Sequence, residues 1–208
     1  MRSLRTATVV LAAVTAILWL LVLVIGASDR AALLMGFVPA RFSGEIALSP
    51  AVPVLLTPLS ATLVHGGPLH LALNLLMLVW CGTLVERVLG RGGLLILYGI
   101  GAYAAAIAQW AIDPGEMTPM IGASGAISAV IGAFALSFGR PKTIVQSPAL
   151  NRLLNALWLL AAWIVLQLMT GWLAGAQGLL LATPAHIGGF LAGLALQRPL
   201  LLWRYRDA

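Results

Sequence analysis

The stretch GGPLHLALNLLMLVWCGTLV, residues 66–85, decides the fold: twenty residues carry no Asp, Glu, Lys or Arg. About 20 mostly apolar residues in a helix cross the roughly 30 Å hydrocarbon layer of a bilayer, and such a run has no place on the surface of a water-soluble domain. The rest of the chain agrees. It is 61% hydrophobic and 9% charged over 208 residues, against about 45–50% and about 25% in ordinary soluble domains. Charged residues and Gly/Pro clusters divide it into apolar spans near 7–26, 66–85, 93–112, 120–138, 153–173 and 180–197. The expectation is an all-α polytopic membrane protein, a six-helix bundle forming a single domain over residues 1–208.

The first span follows Arg2 and Arg5 and ends near Gly26-Ala27-Ser28, small residues that would also suit a cleavage point. Its apolar run is long for a signal peptide, so it is read as a retained helix. Basic residues mark the cytoplasmic ends of membrane helices. With the N-terminus inside, Arg2, Arg5, Arg87, Arg91, Arg140, Lys142, Arg152, Arg198, Arg204 and Arg206 fall on that side, and only Arg30 and Arg41 face outward. Both termini are therefore expected in the cytoplasm, and the bacterial inner membrane is the expected location. The net charge of +6 is thus a topology signal, and no nucleic-acid partner is expected.

Trp110, Trp158, Trp172 and Trp203 fall near span ends, as amphipathic rings do, whereas Trp19, Trp80 and Trp163 fall within spans and read as buried. The single cysteine, Cys81, reads as a packing residue. The longest connection, 28–64, contains Pro39, Pro50, Pro53 and Pro58. It is too interrupted for another span and too apolar for a free linker. It is expected either to lie partly on the outer leaflet or to form an ordinary external loop.

Polar groups at membrane depth are costly, so the few present are candidates for chemistry. They are His70 and Asn74 in the second span, Ser124 and Ser128 in the fourth, and His186 in the sixth, with His65 just ahead of the second. These three spans all run inward from the outer face. At 1.5 Å per residue, His70, Asn74, Ser124 and His186 then lie on the order of 6–12 Å below the outer surface. His70 and Asn74, four residues apart, share a helix face. Ser124 lies in Gly122-Ala123-Ser124-Gly125. Small residues at Ser124, Ser128 and Gly132 on one span and at Ala185, Gly189 and Gly193 on another permit close helix contact. Packing those stripes together would put Ser124 beside His186.

A serine hydroxyl becomes a useful nucleophile when a neutral imidazole takes its proton. His186 is the candidate base, and no acid at comparable depth can orient it, so the expected mechanism is a dyad. Donors for the oxyanion are the Asn74 amide, the Ser124 backbone N–H and His70. Each residue alone is accounted for as readily by packing; their common depth is what argues for chemistry.

The segments His65-Gly-Gly-Pro-Leu-His70-Leu-Ala-Leu-Asn74, Gly122-Ala123-Ser124-Gly125 and Ala185-His186-Ile187-Gly188-Gly189 with Gly193 resemble, in order and spacing, the rhomboid family of intramembrane serine proteases. The resemblance covers roughly residues 57–197. It implies a six-helix bundle with a water-accessible cavity open outward, Ser124 as nucleophile, and His186 as base and then acid. It also implies His70, Asn74 and the Ser124 amide at the oxyanion, single-span membrane proteins as substrates, and no metal or organic cofactor. The sequence departs from the family pattern twice. Many members carry, four positions after the nucleophile, an aromatic ring that stacks on the catalytic histidine; Ser128 stands there. The Trp-Arg pair often seen in the first outer loop has no counterpart, because residues 27–60 contain no Trp.

Three other readings compete. The first is an inactive relative that binds membrane clients, against which both Ser124 and His186 are retained. The second is a zinc enzyme using His65, His70 and His186, which lacks a His-Glu-x-x-His run and a membrane carboxylate. The third is a transporter, which would need a polar path through inner halves that are nearly all apolar.

Overall fold

The structure, a computed structural model, describes residues 6–138, 144–173 and 183–206. Arg2, Arg5, Arg140, Lys142 and the first residues expected in the sixth span lie outside the described residues. Every regular element described is helical: α1 Ala7–Val24, α2 Ser28–Met35, α3 Pro39–Phe42, α4 Thr57–Ser60, α5 Pro68–Ile112, α6 Ser124–Phe138, α7 Pro148–Leu173 and α8 Thr183–Arg204. Short 3₁₀ turns flank α4. Among the described residues three helices, α1, α5 and α7, are both long and apolar enough to cross a bilayer by length and composition.

The expected second and third spans run together as the 45-residue α5, interrupted at Gly90, whose φ of 76° breaks the helix. Such a φ is open to glycine at little cost. The two halves of α5 lie side by side. His70 on the first half lies against Gly122, while Ala105 on the second lies against Gly125, so both reach the same end of the bundle.

The inner core is the packing of α5, α6 and α8. Nearly every side chain of α6 is buried, as in a helix enclosed by others, with Ile127, Val130 and Ala133 fully covered. The closeness of these helices is set by residues without bulk. A Cβ at Gly189 would collide with the carbonyl of Gly125, and one at Gly193 with that of Ala129. α7 stands outside this core and turns Leu157, Trp158, Val165 and Trp172 outward. Trp80, expected to be buried, is 59% exposed. An outward ring costs little where the surroundings are lipid.

α6 has 15 residues, about 22 Å at 1.5 Å per residue, short of the roughly 30 Å a full span requires. The sequence places the start of the fourth span at residue 120, but the chain up to Ala123 is not helical. It is held by the 28–64 connection instead: Phe37 and Met120 exchange backbone hydrogen bonds of 3.0 and 2.8 Å. Irregular backbone of this kind is tolerated at membrane depth only where protein covers it, and Phe37, Val38 and Ala40 are buried there. The connection is therefore neither free linker nor plain loop, but a packed cover.

At the opposite end, Glu86 is 8% exposed and its carboxylate caps the first helix. It accepts from the Ala7 and Thr8 amides at 2.9 Å each and from the Thr8 hydroxyl at 2.6 Å. A carboxylate at a helix N-terminus satisfies orphan amides and opposes the positive end of the helix dipole. Gly82, one turn earlier, lets α1 approach: a Cβ there would stand 2.9 Å from the Thr8 methyl. Arg204 of α8 donates to the Arg87 carbonyl at 2.6 Å, covering acceptors released at the Gly90 break. Glu86→Gln keeps the shape and removes the charge from these bonds, so unfolding in detergent should need about 1–3 kcal/mol less. Unchanged resistance to denaturant would show that the cap is dispensable.

Candidate active site

α5, α6 and α8 each deliver one part of the site. Ser124 is the first residue of α6, one turn nearer the helix start than the sequence suggested. The turn that sets it there runs through Gly122 at φ 108°, backbone that side-chain-bearing residues rarely adopt. A Cβ at Gly122 would also stand 2.7 Å from the His70 ring. Gly and Ser placed just ahead of an apolar helix are the signal from which this start is readable.

His186 lies in the first turn of α8 and points at Ser124: Nε2 and the serine Oγ are 2.8 Å apart, and both residues are buried, at 5% and 6% exposure. That is hydrogen-bonding distance. Of the packing glycines, Gly125, Gly189 and Gly193 lie at the α6–α8 contact. Gly122 serves the turn and the His70 contact instead.

His70 and Asn74 share one face of α5. The His70 Nδ1 accepts a long 3.5 Å bond from the Gly66 amide, which leaves the ring proton on Nε2, the nitrogen beside Gly122. Asn74 is 1% exposed; its side-chain amide donates to the His70 carbonyl at 2.9 Å, leaving one further N–H. The amides of Ser124 and Gly125 open the first turn of α6, where the helix supplies no acceptor. Together these residues bring N–H donors from α5 and α6 to the turn that carries Ser124, with no carboxylate among them.

Two residues take a larger part than their sequence positions suggested. His65, just ahead of α5, is 3% exposed and its Nε2 accepts from the Ala123 amide at 3.4 Å, bracing the residue before the serine. Burial, with a smaller contribution from neighbouring His70, pushes the His65 imidazole down to about 3, so it is neutral and able to accept. Its ring meets His70 edge-on at 5.0 Å. Trp163 of α7 reaches the site by way of Ser128. No local sequence pattern marks either contact, because each partner lies on another element. Among the described residues no group of three His, Cys, Asp or Glu side chains is arranged to hold a metal ion.

Residues 54–203 match the Rhomboid domain family. The chain belongs to the rhomboid family. The chain is 32% identical over 144 residues to RHOMBOID-like protein 5 of Arabidopsis thaliana, covering 69% of this chain and 43% of that one. It is 30% identical over 138 residues to rhomboid protease GlpG of Pectobacterium atrosepticum, covering 66% and 45%. It is 42% identical over 79 residues to rhomboid protease GluP of Bacillus subtilis, covering 38% and 14%. The chain thus spans less than half the length of these relatives. Rhomboid membership, with the long apolar helices, makes it an integral membrane protein.

In this rhomboid the Ser124–His186 distance depends on the α6–α8 contact. A methyl group at Gly189, against the Gly125 carbonyl, must push the helices apart. Gly189→Ala should therefore lose about 1–3 kcal/mol of stability and react more slowly at Ser124 with a fluorophosphonate. A parent-like labelling rate would mean that the approach of the helices does not set the dyad.

Proposed function

We propose that the protein is an intramembrane serine endopeptidase that cuts single-span membrane proteins near the outer face through a Ser124–His186 dyad. The observation that carries this is the 2.8 Å contact between His186 Nε2 and Ser124 Oγ, buried in a chain of the rhomboid family.

In the reaction, Ser124 Oγ attacks the scissile carbonyl carbon while its proton passes to His186 Nε2. The oxyanion so formed is met by the Ser124 amide, the His70 Nε2–H and the free Asn74 N–H; one such donor typically contributes about 2.7–4 kcal/mol to the transition state. The imidazolium gives its proton to the leaving amine, and the acyl-enzyme remains. Water then attacks the ester with His186 again as base, releasing the acid and restoring Ser124. The positive end of α6 lies at the developing negative charge, which favours the same intermediate. Helix-weakening residues in the substrate matter because a peptide bond locked in a helix is hard for the hydroxyl to reach.

The reading extends to six crossings with both termini cytoplasmic, in a bacterial inner membrane. The start of α1, the Gly90 break and Arg204 near the end of α8 meet at one end of the bundle, as an even number of crossings requires. Arg87 and Arg91 lie at that end too, as positive charge on the cytoplasmic side would have them. An inactive client-binding relative is the competing reading. It provides no reason for a hydroxyl–imidazole contact surrounded by N–H donors.

Ser124→Ala should abolish cleavage of a single-span substrate in membranes while the protein accumulates normally. Undiminished cleavage, with other proteases excluded, would end the serine mechanism. His186 must be neutral to accept the proton, so the rate should fall as pH is lowered through the imidazole titration; a rate rising steadily below about pH 5 would remove His186 as the base.

A further inference from the structure

The aromatic ring that many rhomboids place four residues after the nucleophile is replaced here by Ser128, and the space beside the His186 imidazole is filled from another helix. Trp163 of α7 meets His186 in a T-shaped arrangement, with ring centroids 6.2 Å apart and planes at 70°. Its indole is 2% exposed, although most of α7 faces outward. The indole is not held by packing alone: Nε1 donates to the Ser128 hydroxyl at 2.8 Å. That hydroxyl in turn donates to the Ser124 carbonyl at 2.7 Å, and Ser128 is fully buried.

We propose that Trp163 is the residue that positions His186, anchored through Ser128 to the backbone of the nucleophile. The proposal rests on the protease reading and deepens it. A dyad lacks the carboxylate that orients the base in a triad, so ring contacts and shape must hold the imidazole. A T-shaped aromatic pair does so directionally. The hydrogen bond to Ser128 adds a directional hold to that packing and selects the ring orientation in which the indole N–H is satisfied. A serine at position 128 suits this arrangement twice over, because it accepts from the indole and is small enough to leave the indole its place. The nucleophile and the ring that steadies its base are thereby joined by two consecutive hydrogen bonds.

The test uses the full chain in liposomes with a single-span substrate, Ser124→Ala as the blank, and 15N-histidine labelling with the His186 signal assigned from His186→Gln. Trp163→Ala should lower kcat about tenfold with KM within about twofold of the parent, and should broaden the His186 resonances. Trp163→Phe, which keeps a ring, should retain more activity than Trp163→Leu. Adding Ser128→Tyr to Trp163→Ala should recover kcat by restoring a ring from the other side.

Equal rates for the Phe and Leu variants, or a change in KM alone, would reduce Trp163 to a packing residue and overturn the proposal. So would sharp, parent-like His186 resonances in Trp163→Ala. A parent chain that cleaves nothing would defeat the protease reading instead, and the resonances would still decide whether Trp163 holds the imidazole.

Discussion

A hydroxyl on one helix and an imidazole on another can sit 2.8 Å apart only if the two backbones come nearly into contact. In this protein Gly189 and Gly193 of α8 face the carbonyls of Gly125 and Ala129 on α6 with no room for a methyl group. The hydrophobic effect does little to bring helices together in lipid, so contact depends on close packing and on residues small enough to allow it. The same constraint accounts for the enclosed, alanine- and glycine-rich α6. Bulk on that helix would separate the elements that carry Ser124, His186, His70 and Asn74.

Polarity is confined in the same economical way. Polar side chains at the site are engaged in sequence: buried His65 braces Ala123, buried Ser128 bonds to the Ser124 carbonyl, and half-buried His70 accepts from Gly66. The first two bonds relieve the cost of a polar group in a low-dielectric interior and also fix backbone next to or at Ser124. Stability and preorganisation are here two effects of one set of bonds. The 28–64 cover contributes as well, since the Phe37–Met120 pairing holds the non-helical chain that leads into Ser124.

The helical membrane fold was legible because a twenty-residue apolar run fits little besides a membrane crossing, and the bringing together of Ser124 and His186 was legible through depth and small-residue spacing. What was not legible depended on contacts between distant elements. Glu86 lies just past the second apolar span; its partner Thr8 lies far away in sequence, and no periodicity announces the pair. Trp163 read correctly as buried, yet its partners on α6 and α8 could not be named. Trp80 read as buried and is exposed, because apolar composition in a membrane helix does not distinguish a face toward protein from one toward lipid. The start of α6 was placed too early for a related reason: residues 120–123 are apolar enough to continue a span, and only the φ of 108° at Gly122 stops them.

The cap that Glu86 places on α1 also bears on how the chain assembles. The amides that open α1 have their carboxylate partner 78 and 79 residues further along the chain. The first turn of a helix supplies no acceptor for its own amides. Glu86, on the first half of α5, meets those of α1, while Gly82 sets the distance. The start of α1 is thus completed by a residue on a later helix, so the earlier element depends on the later one for its cap.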